Sequence, residues 1–206
     1  MNLSIKNHDF VIQYMGMNFE KKGQAMTQAK KKRISEEEVK KLYMEYSTPK
    51  HVKAHCRAVA ETAAKLAESL NKHGYSLDLG LIKGAGLAHD VARTSDEHWK
   101  IGAEAMEALG YDDEADIIRV HMFYSPFNPI EKLDECDMVC LADRLVKEDK
   151  YVGLDERIEY ILKKAPDKPE IVANIMARKA ETEKLLSDIA EVIGQSVDSL
   201  FLDKEI

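Results

Sequence analysis

The chain has 206 residues, 45% hydrophobic and 33% charged, with a net charge of −7. That length suits one domain with a sizeable core rather than two. The acidic balance excludes a general nucleic-acid binder, which presents a basic face, and no apolar run is long enough to span a membrane. The N-terminus has no basic stretch followed by an apolar one, so it does not read as a secretory signal. The three cysteines, Cys56, Cys136 and Cys140, lack the spacing of a disulfide framework and fit a reducing cytoplasm. Cys136 and Cys140 stand four apart in an apolar stretch. With no second cysteine pair to complete a zinc site, they read as core.

Taken in chain order, residues 1–33 carry mixed signals and are read as an N-terminal extension. Its basic run, Lys30-Lys31-Lys32-Arg33, reads as a solvated linker. From Ser35 onward helix follows helix. Ser35 and Glu38 make a capping box, with Ile34 and Val39 as its hydrophobic staple. Thr48 reads as an N-cap and Pro49 as the first helical residue of a second helix, which runs to about Asn71 and stops near Gly74. Further helices are expected over about 77–91, over 98–109 with Gly110 as its stop, and over 113–122. Prolines 126 and 129 mark 125–129 as a loop. Helices then follow over about 133–147 and 155–164, and a long one opens at Asp167 and Pro169 and reaches Ile193. No stretch alternates with period two, so no sheet is expected. The expectation is an all-α chain: a helical bundle over 34–165 and a helical C-terminal extension over 166–206 that packs on it.

The stripes that should face the core carry polar groups. The second helix turns Val52, His55, Val59, Ala63, Leu66 and Leu70 inward, at spacings of three and four. The third is apolar nearly all round and ends in His89-Asp90. The fourth presents His98, Ile101, Gly102, Ala105 and Leu109; the fifth Ile117, Ile118 and His121; the sixth Cys136, Val139, Cys140, Asp143 and Val146. Any one of these polar residues alone is compatible with a satisfied core group. Four histidines and two aspartates aimed inward from neighbouring helices would together be costly, on the order of a few kcal/mol each. A divalent cation removes that cost by supplying charge and taking the lone pairs. His8 and His73 fall outside the pattern, and His51 reads as an exposed first-turn residue.

The segment from Thr48 to about Ile161 resembles an HD-domain protein. The matching pieces are His55 in HVKAHCRAVAETAAKLA, the doublet His89-Asp90 in GLAHDVAR, and Asp143 in CLADRLVKED. The resemblance implies an all-helical, metal-dependent phosphohydrolase with His55, His89, Asp90 and Asp143 as ligands. His98 in HWKIGAEAMEALG and His121 in IIRVHM make it similar to the six-ligand members of the superfamily, which hold two metals. Asp90 would then bridge, with His55, His89 and Asp143 on one ion and His98 and His121 on the other. Nitrogen and carboxylate ligands suit iron, manganese or zinc alike. The region HMFYSPFNP lacks the HHE and GYP signature of the cyclic-dinucleotide phosphodiesterases. Arg93 stands where stringent-response hydrolases carry acidic residues. The arrangement is closer to small stand-alone hydrolases of nucleotides.

The implied chemistry is attack on phosphorus by a metal-bound hydroxide oriented by Asp90. Arg93, one turn after the doublet, and Lys147, four residues after Asp143 and so on the same helical face, are the expected phosphate contacts. The expected partner is a small phosphorylated substrate, a nucleotide, with no nucleic-acid or membrane partner. Two other readings share the ligand set: a mixed-valent di-iron oxygenase, and a metal-binding sensor without activity.

Overall fold

Local chemistry sets most of the helix boundaries. The structure, a computed structural model, describes residues 31–201 except Asp167; the readings made for residues 1–30, and for Asp167 as a helix opener, lie outside the described residues. Ser35 caps α1 (Glu36–Glu45) through the expected box with Glu38. α2 spans Lys50–Asn71 and α3 Leu79–Ala88, the latter capped by the Asp78 carboxylate. α4 (His98–Ala108) and α5 (Asp112–Val120) follow. A short 3₁₀ turn at Ile130–Lys132 leads to α6 (Glu135–Asp143). α7 covers Gly153–Lys164, and α8 runs Pro169–Ile193, ending at Gly194 with φ +70°. A last 3₁₀ turn covers Asp198–Leu200. The described residues are all-α apart from one small hairpin, and no helix among them is long and apolar enough to cross a membrane.

Five expectations are corrected. Thr48 does not cap α2. Pro49 takes that position, and the Thr48 hydroxyl instead donates to the Val91 carbonyl at 2.5 Å. The sixth helix ends at Asp143, not Lys147. Beyond it β1 (Val146–Lys147) pairs antiparallel with β2 (Lys150–Tyr151), a sheet where none was expected. Its turn holds Glu148 at φ +54°, a conformation usually left to glycine or asparagine, so the sequence carries no turn signature there. Leu109, read as core, is 49% exposed. Finally, Arg33 is an anchor rather than part of a solvated linker. Its guanidinium lies 2.9 Å from Asp78, 2.7 Å from Asp113 and 3.7 Å from the buried Glu114. Burial pushes the Glu114 carboxyl above its ordinary range, and the Ile34 amide donates to it at 3.3 Å.

Two apolar clusters share α2 and α3. One, with Leu66, Leu70, Ile82, Met138, Leu145 and Ile189, joins them to α6, α7 and α8. The other, with Val39, Cys56, Leu87, Met106 and Ile118, joins them to α1, α4 and α5. α2 and α3 approach so closely at Gly86 that a Cβ there would stand 2.7 Å from Ala60 Cα. Gly86→Ala must therefore push backbone against backbone. It is expected to cost about 1–3 kcal/mol, read as a lower urea midpoint. The end of α3 is held from outside the helix: the Tyr43 hydroxyl donates to Leu87 O in its last turn, and the Thr48 hydroxyl to Val91 O in the turn that follows. α1 and the turn after it thus fix the end of α3, where the His89-Asp90 doublet sits.

Candidate metal centre

The ends of three helices converge on one place. His89 caps α3, His121 caps α5, and Asp143 is the last residue of α6. Helix C-termini carry partial negative charge, so their convergence beside two carboxylates favours a cation. His98, the first residue of α4, and His55, on the second turn of α2, complete the group. The six residues separate into two triads, His55–His89–Asp143 and Asp90–His98–His121. In each, the ligand atoms lie within 4.8 Å of one another. Asp90 stands between the triads. Its Oδ1 is 3.0 Å from His98 Nε2 and 3.6 Å from His121 Nε2, and its Oδ2 is 3.9 Å from His89 Nε2.

The tautomers are set from behind. His89 Nδ1 donates to the Gly86 carbonyl at 2.8 Å, His121 Nδ1 to Ile118 O at 2.7 Å, and His55 Nδ1 to Glu148 O at 2.9 Å. With the Nδ1 proton so used, each neutral ring turns a bare Nε2 lone pair to the centre. The backbone acceptors for His89 and His121 lie three residues back on their own helices, whereas the acceptor for His55 comes from the β1–β2 turn. His89 Nε2, His98 Nε2, His121 Nε2 and Asp90 Oδ1 are buried without a hydrogen-bond partner, although they crowd the same space. Lone pairs facing carboxylate oxygens repel unless a proton or a cation stands between them. The donor set, four imidazoles and two carboxylates, fits a divalent first-row ion.

The electrostatics agree. Burial opposes charge on His55, but the Asp143 carboxylate 3.0 Å away and the Glu148 carbonyl outweigh it and raise its pKa. Burial likewise opposes charge on His89, and Cys56, Asp90 and Asp143 push its pKa up. Burial favours the neutral form of both aspartates, yet the imidazoles hold them far below the usual carboxylate range: His89, His121 and His98 act on Asp90, and His55 and His89 on Asp143.

Of the two expected phosphate contacts, one is at the site. Arg93 Nε lies 3.3 Å from Asp90 Oδ2, and its NH1 lies 3.4 Å from His98 Nδ1; the side chain is half exposed. Lys147 is on β1, so the argument that it shares a helical face with Asp143 fails. Its ammonium pairs with Glu156 at 2.9 Å and lies over the Tyr160 ring of α7. His51 is exposed, as read, and His73 bonds to Ser69 O at 2.9 Å, within its own helix end.

The sequence also passed over the clamp on the segment that follows His121. Asp137 is fully buried. It accepts from the Tyr124 hydroxyl at 2.8 Å, the Asn128 amide at 3.0 Å and side chain at 2.9 Å, and the Asp134 amide at 2.9 Å. Arg144, next to Asp143, donates to Tyr124 O and, at 3.0 Å, to Thr182 of α8. Glu181 accepts from Ser125 at 2.9 Å and from the Phe127 amide at 2.6 Å. α8 is thereby tied to residues 124–127.

Comparison with known proteins agrees with this geometry. The HD domain family matches over residues 52–148, a stretch that holds all six clustered residues. The chain is 28% identical over 152 residues to an uncharacterized protein of Methanocaldococcus jannaschii, covering 66% of this chain and 90% of that protein. No solved structure gives a significant match.

Proposed function

From the HD domain match over residues 52–148, we propose that this chain is a member of the HD-domain superfamily and a phosphohydrolase that uses two divalent ions to cleave a phosphate ester or anhydride of a nucleotide. The superfamily is one of metal-dependent phosphohydrolases. The observation that carries the reading to this chain is the pair of triads that meet at Asp90, with four buried ligand atoms left without partners. Bound divalent ions lower the pKa of a coordinated water from about 15.7 towards 7 and neutralise phosphoryl oxygens. The chain's own part is positional. His89, His121 and His55 hold their rings with Nδ1 tied back, and Asp90 spans both triads. Arg93 is free to move its guanidinium from Asp90 to a phosphoryl oxygen. Lys147 is proposed as a second phosphate contact, which requires it to leave Glu156. Arg93→Ala is expected to raise KM for a phosphate substrate about tenfold or more, and Lys147→Ala to raise it less. Equal KM values for Arg93→Ala and the parent would remove Arg93 from the site.

The deciding experiment is metal content per chain on protein purified without added metal or chelator, with an anaerobic phosphate-release screen on the same sample. Two ions with release is the expected result. Two irons without release would make the chain a di-iron oxygenase. Loss of metal that lowers stability, with no release from any phosphate substrate, would make it a sensor.

A pH dependence follows from the raised imidazoles. In the metal-free protein their folded pKa lies above the unfolded value, so the stability they contribute is complete below about pH 6.5 and falls away as pH rises through the folded pKa. Metal requires the neutral rings, so its stabilisation grows over the same window. From about pH 6 to about pH 8, melting of the chelated protein should move down and that of the zinc-loaded protein up. Parallel shifts would contradict the ligand roles of His55 and His89.

A further inference from the structure

A line of rings leads outward from one triad. The His98 and His121 rings stand 5.6 Å apart, edge to face. Trp99, the residue after His98, meets the His98 ring edge-on at 5.3 Å. Phe123, two residues after His121, meets Trp99 at 5.0 Å with an interplanar angle of 89°. Phe123 is 47% exposed and is not part of either core cluster. An aromatic side chain that exposed is not itself unusual; its support is.

The turn beneath Phe123 is fixed on every side. Its own amide donates to Val120 O at 2.8 Å. The carbonyl before it, Met122 O, accepts from Arg178 of α8 at 3.3 Å. The carbonyl after it, Tyr124 O, accepts from Arg144, and the Tyr124 hydroxyl is held by the buried Asp137. The ring is thus an open apolar face on a rigid support, two ring contacts from a ligand histidine. Arg93 lies on the same triad.

We propose that Phe123, backed by Trp99, is the subsite for a planar aromatic group on the substrate: the base of a nucleoside monophosphate, stacked on the phenyl ring while the phosphate lies at the triads and Arg93. The proposal rests on the phosphohydrolase reading only for where the phosphate lies. A stacked ring buries apolar area and gains π contact without hydrogen-bond readout, so the subsite selects an aromatic group over its absence.

Trp99 is the sole tryptophan of the chain, so fluorescence excited selectively at tryptophan reports on this place alone. The experiment is stopped-flow titration of the zinc-loaded full-length protein with AMP and with ribose 5-phosphate, which differ by the base. AMP is expected to bind about tenfold or more tightly than ribose 5-phosphate. Phe123→Ala should erase that preference, leaving the ribose 5-phosphate Kd and the metal content unchanged, and Phe123→Tyr should restore it. Equal Kd values for the two ligands in the parent, or an equal loss of both in Phe123→Ala, overturns the subsite. Preference for AMP through Phe123 without phosphate release keeps the subsite and overturns the hydrolase reading. Release without preference does the reverse.

Discussion

Asp90→Ala should leave a folded protein that holds neither ion properly and turns over phosphate substrate about a thousandfold or more slowly, the equivalent of several kcal/mol of transition-state stabilisation. The reason is its position. Its two oxygens face different triads, Oδ1 towards His98 and His121 and Oδ2 towards His89, so one truncation removes a ligand from both. Three of the remaining imidazoles, His55, His89 and His121, keep their Nδ1–H bonds to backbone carbonyls and so hold their places. Thermal unfolding of the chelated variant should therefore change far less than its activity. Elemental analysis and phosphate release on the same sample decide the matter; a variant with full metal and full rate would sink the site assignment.

Asp137→Ala should have the largest effect on stability, about 3–5 kcal/mol by chemical denaturation, a large share of the ordinary stability of a domain. Four donors converge on that buried carboxylate, two of them from Asn128. Truncation leaves the Asn128 and Asp134 amides and the Tyr124 hydroxyl without an acceptor and opens a cavity. Asp137→Asn keeps the volume but turns some acceptor contacts into donor against donor, so it should fall between. The same change loosens the turn at Phe123, so the AMP preference should weaken even under conditions where Asp137→Ala remains folded.

The ligand residues were legible in the sequence because each breaks an apolar stripe of helical period, which is where a polar group needs a reason. His55 among Val52, Val59 and Ala63 is the plainest case, and the structure places the apolar members of that stripe in the core. The helix order was legible for the same reason, and so was the cap at Ser35. The hairpin was not: two residues per strand are too few to show alternation, and Glu148 stands where a glycine would have signalled the turn. Extending α6 through it misplaced Lys147. Asp137 was passed over because Asp134-Glu135-Cys136-Asp137 looks like an acidic first turn. With the helix start placed at Leu133 rather than after Asp134, the capping box that would have singled it out was out of register. Arg33 was hidden in a run of cations, and its partners Asp78, Asp113 and Glu114 are distant in sequence. Contacts of that kind leave no local pattern.

The three tied-back imidazoles also bear on rates. A ligand ring that must choose a rotamer and tautomer after an ion arrives adds an ordering step to capture, and costs about 0.5–1.5 kcal/mol when it is immobilised. Here His55, His89 and His121 are already fixed by the carbonyls of Glu148, Gly86 and Ile118. Reloading of the stripped protein should thus be a single fast phase, first order in metal and first order in protein and limited by dehydration of the incoming ion, with no slow rearrangement behind it.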